Sequence, residues 1–388
     1  MFSRRTSWNL AANRLTRALN EHRRADKPLL DLSESNPTRA GFSYDGNAIL
    51  RALLHSRSLQ YAPEPRGLLA AREAVAAYYR DACSTAVDPA HIILTTSTSE
   101  AYSFLFRLLC DPGDEVLVPT PSYPLFDFIA GLDDVRLVPY PLLYDDRWQI
   151  DLHALEQAIT PRARAILVVH PNNPTGSLVS AAERARLLEL CAAHDLALVA
   201  DEVFLDYVFD GTAPTFAAGG SALAFALSGL SKIAGLPQMK AAWLVAYGPP
   251  DLRDAALARL EVIADTFLSL NTPIQLALPA LLALRQKIGG QILARVLANL
   301  AELDRQLTAQ QLCQRLRVEA GWYAILRVPA HGANEDLAIA LLEAQGVLVQ
   351  PGYFYDFHQE GFLVLSLITP MKEFREGVQR VLSHIARR

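Results

Sequence analysis

Through the middle of the chain, short apolar runs alternate with helix-length stretches whose apolar positions recur every three or four residues. The runs at 92–96, 115–118, 135–138, 165–169, 197–200, 223–227 and 242–246 are apolar on both faces, which predicts strands covered on two sides. Between and around them, 68–80, 99–109, 152–158 and 181–194 read as helices. Two longer periodic stretches, 252–263 and 274–299, predict long helices, the second leading out of the sheet region. From about residue 301 the pattern changes. Strands are predicted at 321–328, 347–349 and 362–368, with helices at 335–344 and 373–386. An amphipathic helix at 9–23 precedes an irregular stretch. The expected fold is therefore α/β: a large domain around a mainly parallel, seven-stranded sheet, plus a smaller α+β domain. We expect residues 1–45 to form an N-terminal arm and part of the small domain, 46–280 the large domain, and 281–388 the small C-terminal domain.

Bulk composition narrows the function classes. A chain of 388 residues, 51% hydrophobic and 20% charged, can bury more than one sizeable core. A net charge of -5 gives no reason to expect nucleic acid as a partner. No apolar run reaches bilayer-spanning length, so no membrane association is expected. The basic start, Met1-Phe2-Ser3-Arg4-Arg5, is followed by no apolar segment of the kind that directs secretion. Cys83, Cys110, Cys191 and Cys313 are scattered and form no CxxC pair. They read as reduced thiols of a cytoplasmic protein, and no metal site is expected. His170 reads as a strand-end histidine. Neither a GxGxxG nor a P-loop motif is present.

The richest stretch for chemistry is Ser228-Gly229-Leu230-Ser231-Lys232, which directly follows the apolar run 222–227. A lysine placed there is shielded from solvent, which lowers its amine pKa and frees it to attack a carbonyl as the neutral base. Asp201 closes another predicted strand and could equally cap a helix. Pro171-Asn172-Asn173-Pro174-Thr175-Gly176 is a turn fixed by two prolines and a glycine. Thr95-Thr96-Ser97-Thr98-Ser99 leaves a strand and opens a helix, where backbone amides can hold an anion or the hydroxyls can serve as ordinary caps.

In this order the segments resemble the class I/II aminotransferases, fold-type I enzymes that use pyridoxal 5'-phosphate, over nearly the whole chain. The resemblance implies that Lys232 forms the Schiff base and shuttles the α-proton, and that Asp201 keeps the cofactor ring nitrogen protonated. It implies that Asn173 faces the ring hydroxyl oxygen, that Tyr123 in Pro121-Ser122-Tyr123-Pro124 supplies an aromatic face, and that Thr98, Ser99 and Ser231 cradle the phosphate. Tyr61 resembles a tyrosine that reaches the phosphate of a neighbouring subunit, which implies a homodimer with shared sites. Ser35 and Asn36, before Pro37, resemble the strip that closes over substrate.

Four positions depart from the pattern. Lys240 stands where a phosphate-binding arginine is expected and offers charge without the bidentate fork. Gly229 stands where a serine is expected. Phe204 replaces a tyrosine that donates to the ring oxygen. Val364 replaces the arginine that clamps the substrate α-carboxylate, a contact worth roughly 1.5–3 kcal/mol as a charged hydrogen bond. Arg39 and Arg66 are the candidate substitutes. The expected function is amino transfer between a small-molecule donor and a carbonyl acceptor by a ping-pong route. A lyase or decarboxylase on the same cofactor is the alternative, and a non-catalytic cofactor-binding protein ranks third.

Overall fold

A computed structural model describes residues 1–124, 126–330 and 332–387. Its centre is an eight-stranded sheet ordered Ile92–Thr95, Ala242–Tyr247, Ala224–Gly229, Ala197–Asp201, Ala163–Val169, Glu115–Thr120, Arg136–Asp145 and Arg147–Ile150. The five strands from Ala224–Gly229 to Arg136–Asp145 run parallel, and Ala242–Tyr247 is antiparallel to both of its neighbours. Each of the seven expected strands is there. The eighth, Arg147–Ile150, folds back on a strand that runs well past its predicted end.

Alternation along the strands explains the two-sided burial. Ile93, Phe225, Val199, Leu167 and Val116 face one core. Their sequence neighbours Ile92, Ala226, Leu198, Ile166 and Leu117 face the other. Period-two side chains thus fill both sides, and helices such as Thr98–Leu109 and Pro250–Phe267 cover one of them.

Local chemistry sets the helix boundaries. The first amphipathic helix is Arg14–Arg24 rather than 9–23, because Asn13 caps it by accepting from Thr16 N at 2.7 Å. Asn9 instead closes its own small turn on Ala11 N. The helix Ala181–His194 begins with a capping box between Ser180 and Glu183. The long periodic stretch from 274 divides into Thr272–Ala283, which contains Pro279, and Arg285–Leu307. At the junction Leu284 N bonds Leu281 O at 3.2 Å, a tightened turn that redirects the chain.

The second sheet is antiparallel and has four strands: Gln314–Arg315, Tyr323–Arg327, Phe362–Ser366 and Gln350–Pro351. The N-terminal segment joins this part of the molecule. Leu30–Asp31 pairs parallel with Val347–Leu348, and Ser366 N donates to Leu32 O at 2.7 Å. Asn299, fully buried on the helix Arg285–Leu307, donates to Leu367 O and Thr369 O at 2.8 and 2.7 Å. No helix among the described residues is long and apolar enough to cross a membrane.

Candidate active site

In open α/β sheets, functional groups gather at the carboxyl ends of the strands. The strand Ala224–Gly229 ends in the short helix Leu230–Ile233, which carries Lys232. Its Nζ lies 4.9 Å from the Trp322 ring centre and 5.5 Å from that of Phe204. Burial lowers the amine to about 8, while the charge of Asp201 acts in the opposite sense. Two hydroxyls fix the backbone of this turn. Tyr207 Oη donates to Lys232 O at 2.6 Å, and Tyr44 Oη donates to Gly235 O at 2.8 Å.

Gly229 has a steric reason to be glycine. A Cβ there would sit 2.8 Å from the Ala242 Cβ and 3.0 Å from Ala241 O. The hydroxyl missing at 229 has a neighbour in Ser228, whose buried Oγ lacks a hydrogen-bond partner among the described residues.

Asp201 is buried at the end of Ala197–Asp201, between Val169 and Leu227 of the adjoining strands. Tyr102 Oη donates to its Oδ2 at 2.7 Å, and Val203 N donates to Oδ1 at 3.1 Å. Burial raises its pKa and both donors counter that rise. Glu202, the next residue, takes a separate set of partners. It accepts from Thr215 Oγ1 at 2.6 Å and from Phe216 N, and burial lifts its pKa to about 7.

The 171–176 turn is held from within. Asn172 Nδ2 donates to Pro121 O at 3.1 Å and to Thr175 Oγ1 at 2.9 Å. Gly176, at φ +64°, packs so tightly that a Cβ would lie 2.3 Å from Ala320 O. Asn173 is buried, and its Oδ1 has no partner among the described residues. His170 is structural, as expected. Val179 N donates to its Nδ1, its Nε2 contacts Pro214 O, and burial lowers it to about 4.

Thr98 and Ser99 open the helix Thr98–Leu109, capped by Ser97. Their amides precede its first backbone bond, from Ala101 N to Ser97 O. Ser231 is half-buried beside Lys232, whereas Lys240 is exposed with φ +51°. Tyr123 is 44% exposed and meets Phe126 edge-on at 6.2 Å. Ser35 lies beside Tyr323, and the Asn36 side-chain oxygen Oδ1 accepts from Thr38 N and Oγ1 at 3.0 and 2.7 Å. Val364 is sealed between Ile325 and Gln350 in the smaller sheet. Tyr61, 83% exposed, lines a separate cavity of about 260 Å³ with Gly67, Leu94, Asn271 and Gln275. Arg66 is committed elsewhere, to Glu261 at 2.7 Å and Ala90 O at 3.0 Å.

A family profile described as "Aminotransferase class I and II" matches residues 27–381. The chain belongs to the class I and II aminotransferases. This aminotransferase is 24% identical over 361 residues to glutamate-pyruvate aminotransferase of Haemophilus influenzae, covering 91% of this chain and 89% of that one. It is 28% identical over 329 residues to arginine-pyruvate transaminase of Pseudomonas aeruginosa, covering 81% and 80%. Its fold matches the alanine aminotransferase of Pyrococcus furiosus with a TM-score of 0.91 at 20% identity, covering 100% of both chains.

The aminotransferase also holds residues that the motifs do not single out. Tyr102 lies four positions after Thr98, one helical turn along the same face, and that spacing is its signal in the sequence. Trp322 has no comparable signal. It follows Gly321 into the strand Tyr323–Arg327 and walls Lys232 together with Phe204, 5.3 Å away and edge-on.

Proposed function

We propose that this aminotransferase exchanges an amino group between an α-amino acid and an oxo acid, with pyridoxal phosphate held at Lys232. The observation that carries the reading is the Lys232 amine. It is walled by Phe204 and Trp322, lowered to about 8 by burial, and electrostatically coupled to the buried Asp201. The residues present fit the cofactor. Asp201, oriented by Tyr102, would face the ring nitrogen. Asn173, with its unpartnered buried oxygen, would turn its amide to the ring hydroxyl. The amides of Thr98 and Ser99, the Ser231 hydroxyl, the Lys240 ammonium and Tyr61 of a second copy would hold the phosphate. Tyr123 would lie against the ring.

Bound there, pyridoxal phosphate supplies an electron sink for the pair left when a Cα–H bond breaks. The chain's own task is to move the proton. Lys232 Nζ, brought by burial to about 8 so that a fraction is the free base at physiological pH, would take it from the substrate Cα and return it to the cofactor-side carbon two bonds away, across the nitrogen. Asp201, whose two donors counter the upward pull of burial, would hold the opposing charge in place. Phe204 and Trp322 exclude water around the amine.

The relatives' names join pyruvate with glutamate or arginine, which supports an alanine–pyruvate half-reaction here. Val364 offers no carboxylate contact and Arg66 is paired with Glu261, so that role falls to Arg39. It stands next to the Ser35–Asn36 segment, and its guanidinium has no partner among the described residues.

The test is to add alanine to the cofactor-loaded protein and follow its visible absorbance. A loss of the yellow band that pyruvate reverses supports amino transfer. Release of pyruvate and ammonia from serine, whose β-hydroxyl can leave as water, with the band restored unaided, would reject it in favour of elimination. Lys232→Ala should lower kcat by at least about a hundredfold, and Arg39→Ala should raise KM for alanine with little change in kcat.

A further inference from the structure

Directly after Phe204 the chain makes one tight turn, Leu205–Tyr207, whose residues part to two sides. Tyr207 reaches the carbonyl of Lys232. Asp206 instead lines a cavity of about 320 Å³, together with Arg285, Gln286, Leu205, Val208 and Leu293. Neither Lys232, Asp201 nor Asn173 borders this space.

Arg285 is the unusual group. It opens the helix Arg285–Leu307 and is only 9% exposed. A buried guanidinium ordinarily satisfies most of its five donors. Here Nε is sealed from solvent without a hydrogen-bond partner, and no acceptor among the described residues meets the other nitrogens. The nearest carboxylate oxygen, Asp206 Oδ2, is 3.7 Å away, an ion pair too long for a hydrogen bond. The guanidinium carbon lies over the Tyr78 ring, 5.1 Å from its centre, a cation–π contact that uses none of the N–H donors. Tyr78 Oη donates to Asp206 Oδ1 at 2.6 Å, so Oδ2 is the oxygen left for another partner.

The backbone keeps this space open. Gly289 and Gly290 also line it, in a helix interior where glycine is disfavoured. A Cβ at Gly290 would meet nothing within 4 Å, so close packing does not call for glycine there.

We propose that this cavity binds a small carboxylic acid, its carboxylate on Arg285 and its body against Leu205, Val208 and Leu293. Where the ligand is an amino acid, its ammonium is taken by Asp206 Oδ2. A zwitterion matches the paired charges of Arg285 and Asp206 and leaves the site neutral.

The experiment is calorimetric titration of the cofactor-saturated protein with two probes. Propionate carries the carboxylate alone. Proline adds an ammonium, yet its secondary amine cannot make the neutral Schiff base that a primary amine makes. Both are titrated into the wild type, Arg285→Gln and Gly290→Leu, the last projecting a side chain from an exposed helix position at the cavity. The expected result is saturable binding, weakened about tenfold or more in both variants, as the loss of a charged hydrogen bond implies. Tighter binding of proline assigns the ammonium to Asp206, whereas equal binding assigns recognition to the carboxylate alone. Absence of saturable binding in the wild type overturns the proposal, as does undiminished binding in Gly290→Leu. That second variant decides the matter if Arg285→Gln does not fold.

Discussion

Two neighbouring carboxylates show how little separates a chemical residue from a structural one. Asp201 and Glu202 are consecutive and buried, but Tyr102 and Val203 hold the first while Thr215 and Phe216 hold the second. Glu202 titrates near 7 against an ordinary 4.5, so the unfolded chain binds fewer protons than the native one between those values. Its contribution to stability is therefore present at pH 5 and lost as pH rises through 7. Glu202→Gln should remove that loss. Relative to wild type, the variant should gain stability from pH 5 to pH 8, by up to about 3 kcal/mol, read from denaturant midpoints. A constant difference across that range would count against it. His170 runs the other way. Its depression to about 4 makes stability rise with pH between there and 6.5. Phe204 carries a second prediction. A Phe204→Tyr hydroxyl would add a donor beside Lys232, and the protonation midpoint of the cofactor–lysine absorbance should fall; an unchanged titration would sink the idea. At this scale Lys232, Asp201 and Asn173 were legible because each sits in a motif. Trp322 was not, since a buried aromatic after a glycine looks the same in a core as in a site. The reason for Gly229 was hidden too: the Ala241–Ala242 backbone it clears belongs to a different strand.

Among elements, strands were easier to read than helix limits. Runs apolar on both faces have few alternatives, and the expected strands all formed. Arg147–Ile150 was missed because it is short, polar at its start, and lies at an edge where no second face needs covering. The continuous periodicity beyond residue 274 concealed the break at Leu284, because hydrophobic spacing does not register a change of direction. Pro279 lies inside the first of the two resulting helices and cannot donate to Gln275 O. It is exposed, so replacement by alanine restores that bond without overfilling the core. Pro279→Ala should raise the thermal midpoint by about 1–2 °C, as expected for one to two kcal/mol in a chain of this size. A lowered midpoint in calorimetry would show that the proline is needed to set the turn at Leu284.

For the whole molecule, the exposed apolar side chains are unevenly distributed. Leu50, Leu54, Leu59, Tyr61 and Leu69 are between 51% and 92% exposed within one short stretch, a pattern that calls for a covering surface. A second copy placing Tyr61 in the neighbouring site, as proposed, would account for it. Leu54→Glu combined with Leu59→Glu should shift sedimentation toward the monomer and reduce activity per chain in parallel. Full activity in a monomeric variant would remove the shared-site reading. The order of synthesis adds a further consequence. Ser366 Oγ holds Glu34 O across 332 residues, and Leu30–Asp31 has its strand partner at Val347–Leu348. Growing at about 5–20 residues per second, the chain makes the Ser35–Asn36 strip roughly three hundred residues ahead of its seat. For tens of seconds that strip has nothing to dock on, so the lysine turn and its sheet can be in place long before the segment proposed to cover substrate. A nascent chain stalled before residue 347 would leave a folded sheet with an uncovered site.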